Sequence, residues 1–187
     1  MNETLKKAVE VLRQGGVILY PTDTIWGLGC DATNATAVQR IYDIKQRTNS
    51  KAMLVLIDSS AKLQGYVREV PDIAWDLIDL SEKPLTIIYS GAKNLAENLV
   101  AEDGSIGIRI TRETFSKRLC EQFRKPIVST SANISNTTAP KSFSEIDENI
   151  KNNVDYIVDY RQNEKIKATA SSIIKLEVNG QITIIRK

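Results

Sequence analysis

Apolar positions recur along this chain at two periods, and the alternation between them outlines the elements. Leu5, Ala8, Val9 and Leu12 lie at helical spacing, and Gly15-Gly16 ends that helix before the apolar run Val17–Tyr20, which predicts a buried strand. Thr33 or Asn34 can cap a second helix with apolar positions Ala37, Val38, Ile41 and Ile44, whose end delivers Lys45 and Arg47. Met53–Ile57 predicts a strand, and Pro71 opens a helix through Ile73, Ala74, Leu77 and Ile78. Leu85–Tyr89 and Ile106–Ile110 read as strands, and Phe115, Leu119 and Phe123 outline a helix. Pro126 then introduces a strand over Ile127–Thr130 that runs into the turn Ser131-Ala132-Asn133. After a further strand at Tyr156–Val158, Asn179-Gly180 joins Ser172–Val178 to Gln181–Arg186 as a hairpin. The polar stretches Asn133–Lys141 and Arg161–Lys167 read as loops.

Interleaved helices and strands closed by an antiparallel hairpin predict an α/β fold with a twisted, mixed parallel and antiparallel sheet, in one domain over residues 1–187. The 42% hydrophobic content suffices for a core without staples. A balance of 25 basic against 23 acidic side chains does not announce nucleic-acid binding, although a local basic concavity remains open. With no export signal and no membrane span, Cys30 and Cys120 read as reduced thiols of a cytoplasmic protein. Histidine is absent, which removes Ser-His and Cys-His nucleophilic machinery and every His-bearing zinc site. Chemistry must then rest on hydroxyls, Lys and Arg charge, backbone N–H groups and carboxylates, a profile suited to phosphate-centred reactions.

Four constellations carry that chemistry. Pro21-Thr22-Asp23-Thr24 follows a buried strand and leads into Trp26-Gly27-Leu28-Gly29, which reads either as a cradle for a small polar ligand or as a capped turn that satisfies its own backbone. Lys45 and Arg47, two apart, share one face of an extended loop and could bind an anion with Lys51 nearby; a solvated basic helix end is the alternative. Arg109 stands in an apolar strand and requires either an internal carboxylate or a ligand anion. Ser129-Thr130-Ser131-Ala132-Asn133 crowds hydroxyls and an amide at a strand end, where α/β folds place ligands. Ala170-Ser171-Ser172 precedes the final hairpin.

Taken in order, the stretches GGVILYPTDTIWGLGCDA, IKQR, KPLTIIY, GIRI, STSAN and SSII resemble the YrdC/TsaC family, the threonylcarbamoyl-AMP synthases, over roughly residues 5–187. Departures fall within the motifs: Trp26 stands where Tyr is usual, Lys51-Ala52 replaces Asn-Pro, Leu56 replaces His, Glu82-Lys83-Pro84 replaces Pro-Gly-Pro, Thr111 replaces Pro, and Asn136 replaces Gly. The resemblance implies a YrdC-like domain whose sheet and flanking helices surround a large basic concave cavity. It implies a nucleotidyltransferase that makes L-threonylcarbamoyl-AMP from L-threonine, bicarbonate or CO2 and ATP with Mg²⁺, releases pyrophosphate and feeds tRNA modification.

By residue, the resemblance implies catalytic roles for Lys45 and Arg47, and a threonine site at Thr24, Arg109, Ser131 and Ser171. It implies nucleotide contacts at Arg47, Lys51, Ser105, Asn133, Lys141 and Arg186, no protein-held metal, and partners that take the threonylcarbamoyl group onward. Two other readings stay open: a module of the same fold that binds double-stranded RNA or tRNA, and a YciO-like paralogue acting on another carbamoyl-type substrate.

Overall fold

The computed structural model describes residues 1–47, 53–164 and 169–187. Its helices are α1 (Asn2–Arg13), α2 (Ala35–Ile44), α3 (Ile73–Leu80), α4 (Thr114–Phe123) and the short α5 (Glu148–Asn152). The strands are β1 (Ile18–Tyr20), β2 (Gly27–Gly29), β3 (Leu54–Ile57), β4 (Leu85–Tyr89), β5 (Ile106–Ile110), β6 (Ile127–Ser131), β7 (Tyr156–Ile157), β8 (Ser172–Leu176) and β9 (Ile182–Arg186). They form a sheet in the order β7-β1-β2-β6-β3-β5-β4-β8-β9. The pairs β1–β7, β3–β5 and β4–β8 are parallel and the other five antiparallel, so the sheet is mixed as the terminal hairpin requires.

Strand alternation divides the apolar residues between two cores. Val17, Leu19, Val55, Ile57, Ile108 and Val128 face one side, where Ala37, Val38 and Ile41 of α2 and Ala74 of α3 pack on them. Ile18, Tyr20, Leu56 and Ile127 face the other, beneath Leu5, Ala8 and Leu12 of α1 and Phe115 and Leu119 of α4. Local chemistry sets the helix ends. Asn34 accepts from the Ala37 N–H at the start of α2, and Glu113 accepts from Phe115 and Ser116 at the start of α4. Arg124, left-handed at φ 65°, closes α4.

Cross-strand register turns that second face into the floor of a site. Ile127 pairs with Leu56, Leu56 with Arg109, Arg109 with Thr86, Thr86 with Ile173, and Ile173 with Arg186. Directly opposed residues point the same way, so one row runs from the α1–α4 core out to Arg186 and becomes polar beyond Leu56. The next row on that face holds Ser129 opposite Leu54 and Leu54 opposite Gly107, and the row beyond it sets Ser131 opposite Gly27.

Three elements depart from the expectation. The stretch taken as one turn contains β2, because Gly27 and Gly29 let a strand slide against its neighbours. A Cβ on Gly29 would meet Tyr20 Cε1 at 2.6 Å and the Val128 carbonyl oxygen at 3.0 Å. The strand from Ile127 extends to Ser131, which is therefore a sheet residue. In the final hairpin only Gly180 takes a positive φ, 85°, while the Glu177 N–H donates to the Gln181 carbonyl.

Candidate active site

The polar part of the sheet face opens into a cavity of about 260 Å³. Thr24, Arg47, Arg109, Ser131, Ser171 and Arg186 line it, so the structure brings together six of the eleven side chains expected to touch threonine or nucleotide or to catalyse. Lys45, Ser105, Asn133 and Lys141 lie elsewhere, as described below. Lys51, also expected at the nucleotide, falls outside the described residues.

Arg109 is the cavity's deepest charge, with 3% of its surface exposed. Asp23, from the turn after β1, reaches it from outside the cavity, with Oδ1 at 2.9 Å from Nη2. Of the two partners open to this buried cation in the sequence, the internal carboxylate is the one observed. The pairing is incomplete, since Arg109 Nε has no hydrogen-bond partner. Burial pushes the Asp23 carboxyl above its usual range against the pull of Arg109.

The turn carrying Asp23 is braced on itself. The Thr22 hydroxyl donates to the Ile25 carbonyl at 2.8 Å, accepts from the Thr24 N–H at 3.0 Å, and lies 3.0 Å from the Thr24 hydroxyl. Thr22 is thus the structural member and Thr24 the one facing the cavity. Arg161 clamps the turn from behind, donating from Nη1 to the Thr22 carbonyl at 3.1 Å and from Nε to Glu164 at 2.7 Å. The sequence places Arg161 in a charged loop; of its partners Thr22, Glu113 and Glu164, only Glu164, 3 residues away, is within reach of local pattern.

Lys45 and Arg47 do not share a face, which corrects the sequence expectation. Lys45 is the helical C-cap of α2 and Gln46 is left-handed at φ 49°, so the backbone reverses between the two cations instead of extending. Arg47 enters the cavity. Lys45 is buried behind the wall, with 1% exposed, and its ammonium donates to the Ser131 carbonyl at 2.5 Å and the Asn133 carbonyl at 2.7 Å. Burial, and then the charge of Arg47, bring its pKa down to about 7. Asn133 is also a wall residue. Its amide donates to the Ile134 carbonyl at 3.0 Å and the Thr137 carbonyl at 2.8 Å, folding the loop in which Asn136 is left-handed at φ 67°.

Ser171 and Arg186 close the opposite end. Ser171 Oγ lies 2.9 Å from Thr86 Oγ1, and Arg186 Nε donates to the Ser171 carbonyl at 2.9 Å. Thr86, fully buried in β4, was missed in the sequence, although a hydroxyl within an apolar strand signals a polar partner on one sheet face. Arg186 owes its direction to a bulge. Simple alternation would put it on the face of Ile182 and Ile184, but Ile184 pairs with Ile174 and Arg186 with Ile173, leaving Ile185 as the extra residue.

Ser105 stands before β5 and gives its hydroxyl to Asp103 at 2.5 Å, while Lys141 lines a cleft of about 30 Å³ on the far side of Thr24, Ile25 and Trp26. Trp26 walls both spaces and packs on Phe143 with ring centroids 4.8 Å apart.

The resulting site gathers three guanidiniums and hydroxyls in a partly desolvated space. Burial lowers Arg47 from its usual value, and burial followed by Arg109 lowers Arg186. Both effects are relieved by an anion, so the cavity suits phosphate and carboxylate groups, which the guanidinium fork pairs in two directions. Among the described residues no three Asp, Glu, Cys or His side chains converge on a point, and Asp23 is engaged by Arg109. This donor set does not fit a protein-held divalent cation.

The Sua5/YciO/YrdC family profile, described as "Telomere recombination", matches residues 10–187. A threonylcarbamoyl-AMP synthase of Pseudoalteromonas translucida is 36% identical over 182 residues, covering 96% of both chains. One of Vibrio cholerae is 33% identical over 160 residues, covering 84% of this chain and 85% of the other. Among solved structures, P. abyssi Sua5 complexed with L-threonine superposes with a TM-score of 0.84 at 26% identity over 92% of this chain, which spans about half (50%) of that longer one. E. coli YciO, at 24% identity and a TM-score of 0.86 over 100% of this chain and 90% of its own, shares the fold. Among the described residues no helix is long and apolar enough to cross a membrane. The chain belongs to the Sua5/YciO/YrdC family.

Proposed function

We propose that this protein is a threonylcarbamoyl-AMP synthase, joining L-threonine, bicarbonate and ATP and releasing pyrophosphate. The observation that carries the reading is the cavity itself, where Arg47, Arg109 and Arg186 meet Thr24, Ser131 and Ser171. The relatives of that name, aligned over nearly the whole chain, support it.

Threonine's carboxylate meets the Arg109 guanidinium where it lines the cavity, and its hydroxyl meets the hydroxyls of Thr24 and Ser131, with Ser171 facing them from the other end. Arg47 and Arg186, on separate elements, face the triphosphate. Threonine's free amine adds to CO2 formed from bicarbonate and gives a carbamate. A carbamate oxygen then attacks the α-phosphorus, the bond to the bridging oxygen breaks, and pyrophosphate leaves with its electron pair. The residues hold the reactants in line and neutralise charge. With no histidine in the chain, the ammonium proton goes to solvent or bicarbonate. Mg²⁺ enters as part of the Mg·ATP substrate, held by phosphate oxygens and water. The product supplies a transfer step, carried by other proteins, that modifies tRNA.

Pyrophosphate release measured with ATP, bicarbonate and each amino acid in turn tests the reading. Threonine supports release, serine less, and valine least, because a site built to bond a hydroxyl rejects the analogue without one. Equal release with valine, or steeply salt-dependent RNA binding without turnover, would contradict it.

A further inference from the structure

Arg161 holds a backbone conformation uncommon for a residue with a side chain, at φ 61°. Its neighbours fix that backbone from both sides. The Val158 N–H donates to the Leu19 carbonyl of β1 at 2.9 Å, the Tyr160 ring stacks on Phe115 of α4 with centroids 5.4 Å apart, and Gln162 Nε2 donates to the Val158 carbonyl at 3.0 Å. An unfavourable conformation held this firmly aims the side chain. Its guanidinium reaches behind the cavity wall to the Thr22 carbonyl and to Glu164, and Nη1 lies 3.5 Å from Glu113 Oε1. The two residues after Thr22 are Asp23, which pairs with Arg109, and Thr24, which lines the cavity. Glu113 caps α4, and its charge adds to the burial that raises the Asp23 carboxyl, so a cation beside Glu113 offsets a repulsion at the site.

We infer that Arg161 is a positioning residue for threonine, setting the Thr22–Thr24 turn so that Asp23 meets Arg109 and Thr24 meets the substrate hydroxyl. This rests on the cavity being the threonine site. A guanidinium serves here because its fork donates in several directions at once, toward a carbonyl and two carboxylates, which a lysine ammonium matches only in part. Arg161 lies in the cleft on the far side of Thr24, Ile25 and Trp26, outside the lining of the cavity, and acts on threonine through the turn. Arg47 and Arg186, which face the triphosphate, stand on other elements, so the effect falls on threonine and spares ATP.

Steady-state kinetics of Arg161→Gly and Arg161→Lys test it. Glycine suits a positive φ, so Arg161→Gly removes the side chain without straining the backbone, and the variant folds. Its threonine KM rises about tenfold or more, the worth of one charge-assisted hydrogen bond, while kcat and the ATP KM stay within about twofold of wild type. Arg161→Lys falls between the two, and guanidinium ion at sub-denaturing concentration lowers the threonine KM of Arg161→Gly without altering that of the wild type. Amide exchange at Thr24, whose N–H bonds to the Thr22 hydroxyl, quickens about tenfold or more in Arg161→Gly, a readout that needs no turnover. An unchanged threonine KM would overturn the inference, as would equal rises in the threonine and ATP KM. No threonine turnover by the wild type would instead sink the reading of the cavity, and unchanged exchange at Thr24 would then overturn the positioning separately.

Discussion

Replacing Lys45 with Met separates two roles that a buried lysine near a phosphate site can play. Its ammonium donates to the carbonyls of Ser131 and Asn133 at 2.5 and 2.7 Å, and the side chain lies behind the cavity wall. Each hydrogen bond contributes about 0.5–1.5 kcal/mol net, and the loss leaves two buried carbonyls without a donor, so near pH 7 the variant is expected to lose ~2–5 kcal/mol. A domain of this kind holds about 5–15 kcal/mol, so most molecules still fold. The pH dependence is specific. Lys45 titrates near 7 when folded against an ordinary value of 10.5, so between those values the unfolded chain binds the proton and the folded one does not. Wild-type stability relative to the Met variant therefore rises between pH 7 and 10.5, by roughly 3–6 kcal/mol, and is flat below and above. Denaturant unfolding of both proteins across this range measures the difference. In the kinetic assay the threonine KM rises more than kcat falls, because Ser131 loses its support. A Met variant as stable as wild type at every pH, with kcat abolished and KM unchanged, would refute the reasoning and give Lys45 a direct contact with the reacting groups.

Asp23→Asn leaves Arg109 buried with no opposing charge; a loss of about 3–5 kcal/mol by denaturant unfolding is expected, with a raised threonine KM. Arg186→Ala raises the ATP KM by about tenfold or more, the worth of one charge-assisted contact, whereas deletion of Ile185 regularises the ladder, keeps the arginine opposite Ile173 and leaves the ATP KM within about twofold of wild type. Gly29→Ala drives a Cβ into Tyr20 and the Val128 carbonyl and lowers the melting temperature, with an overpacking cost of about 1–3 kcal/mol.

Much of this architecture was legible in the chain because each long element carries its own period. Leu5, Ala8, Val9 and Leu12 are the buried face of α1, and the Asn179-Gly180 hairpin joins the last two strands. The arginine in β5 was correctly read as needing a partner, and Asp23 supplies it. Illegible features share one cause, long-range geometry overriding local pattern. The strand β2 exists because Tyr20 and β6 lie where only glycines fit, which no window around Gly27–Gly29 reveals. The spacing of Lys45 and Arg47 suggested a shared face, but one left-handed residue sends them to opposite sides of a wall. A bulge likewise reverses Arg186 against the alternation of its strand. Thr86 and Ser171 meet across 85 residues and were separable only by register.

The central claim is that the chain builds a carbamoyl link between threonine's nitrogen and the α-phosphate of ATP. Incubation with ¹³C-bicarbonate, threonine and ATP, followed by ¹³C NMR and mass spectrometry, tests it most directly. The expected product holds the labelled carbon bonded to threonine's nitrogen and split by the phosphorus of AMP, with one pyrophosphate released per label incorporated. Pyrophosphate and an AMP adduct formed with threonine, but with all label remaining in bicarbonate, would show activation at threonine's own carboxylate and contradict the account.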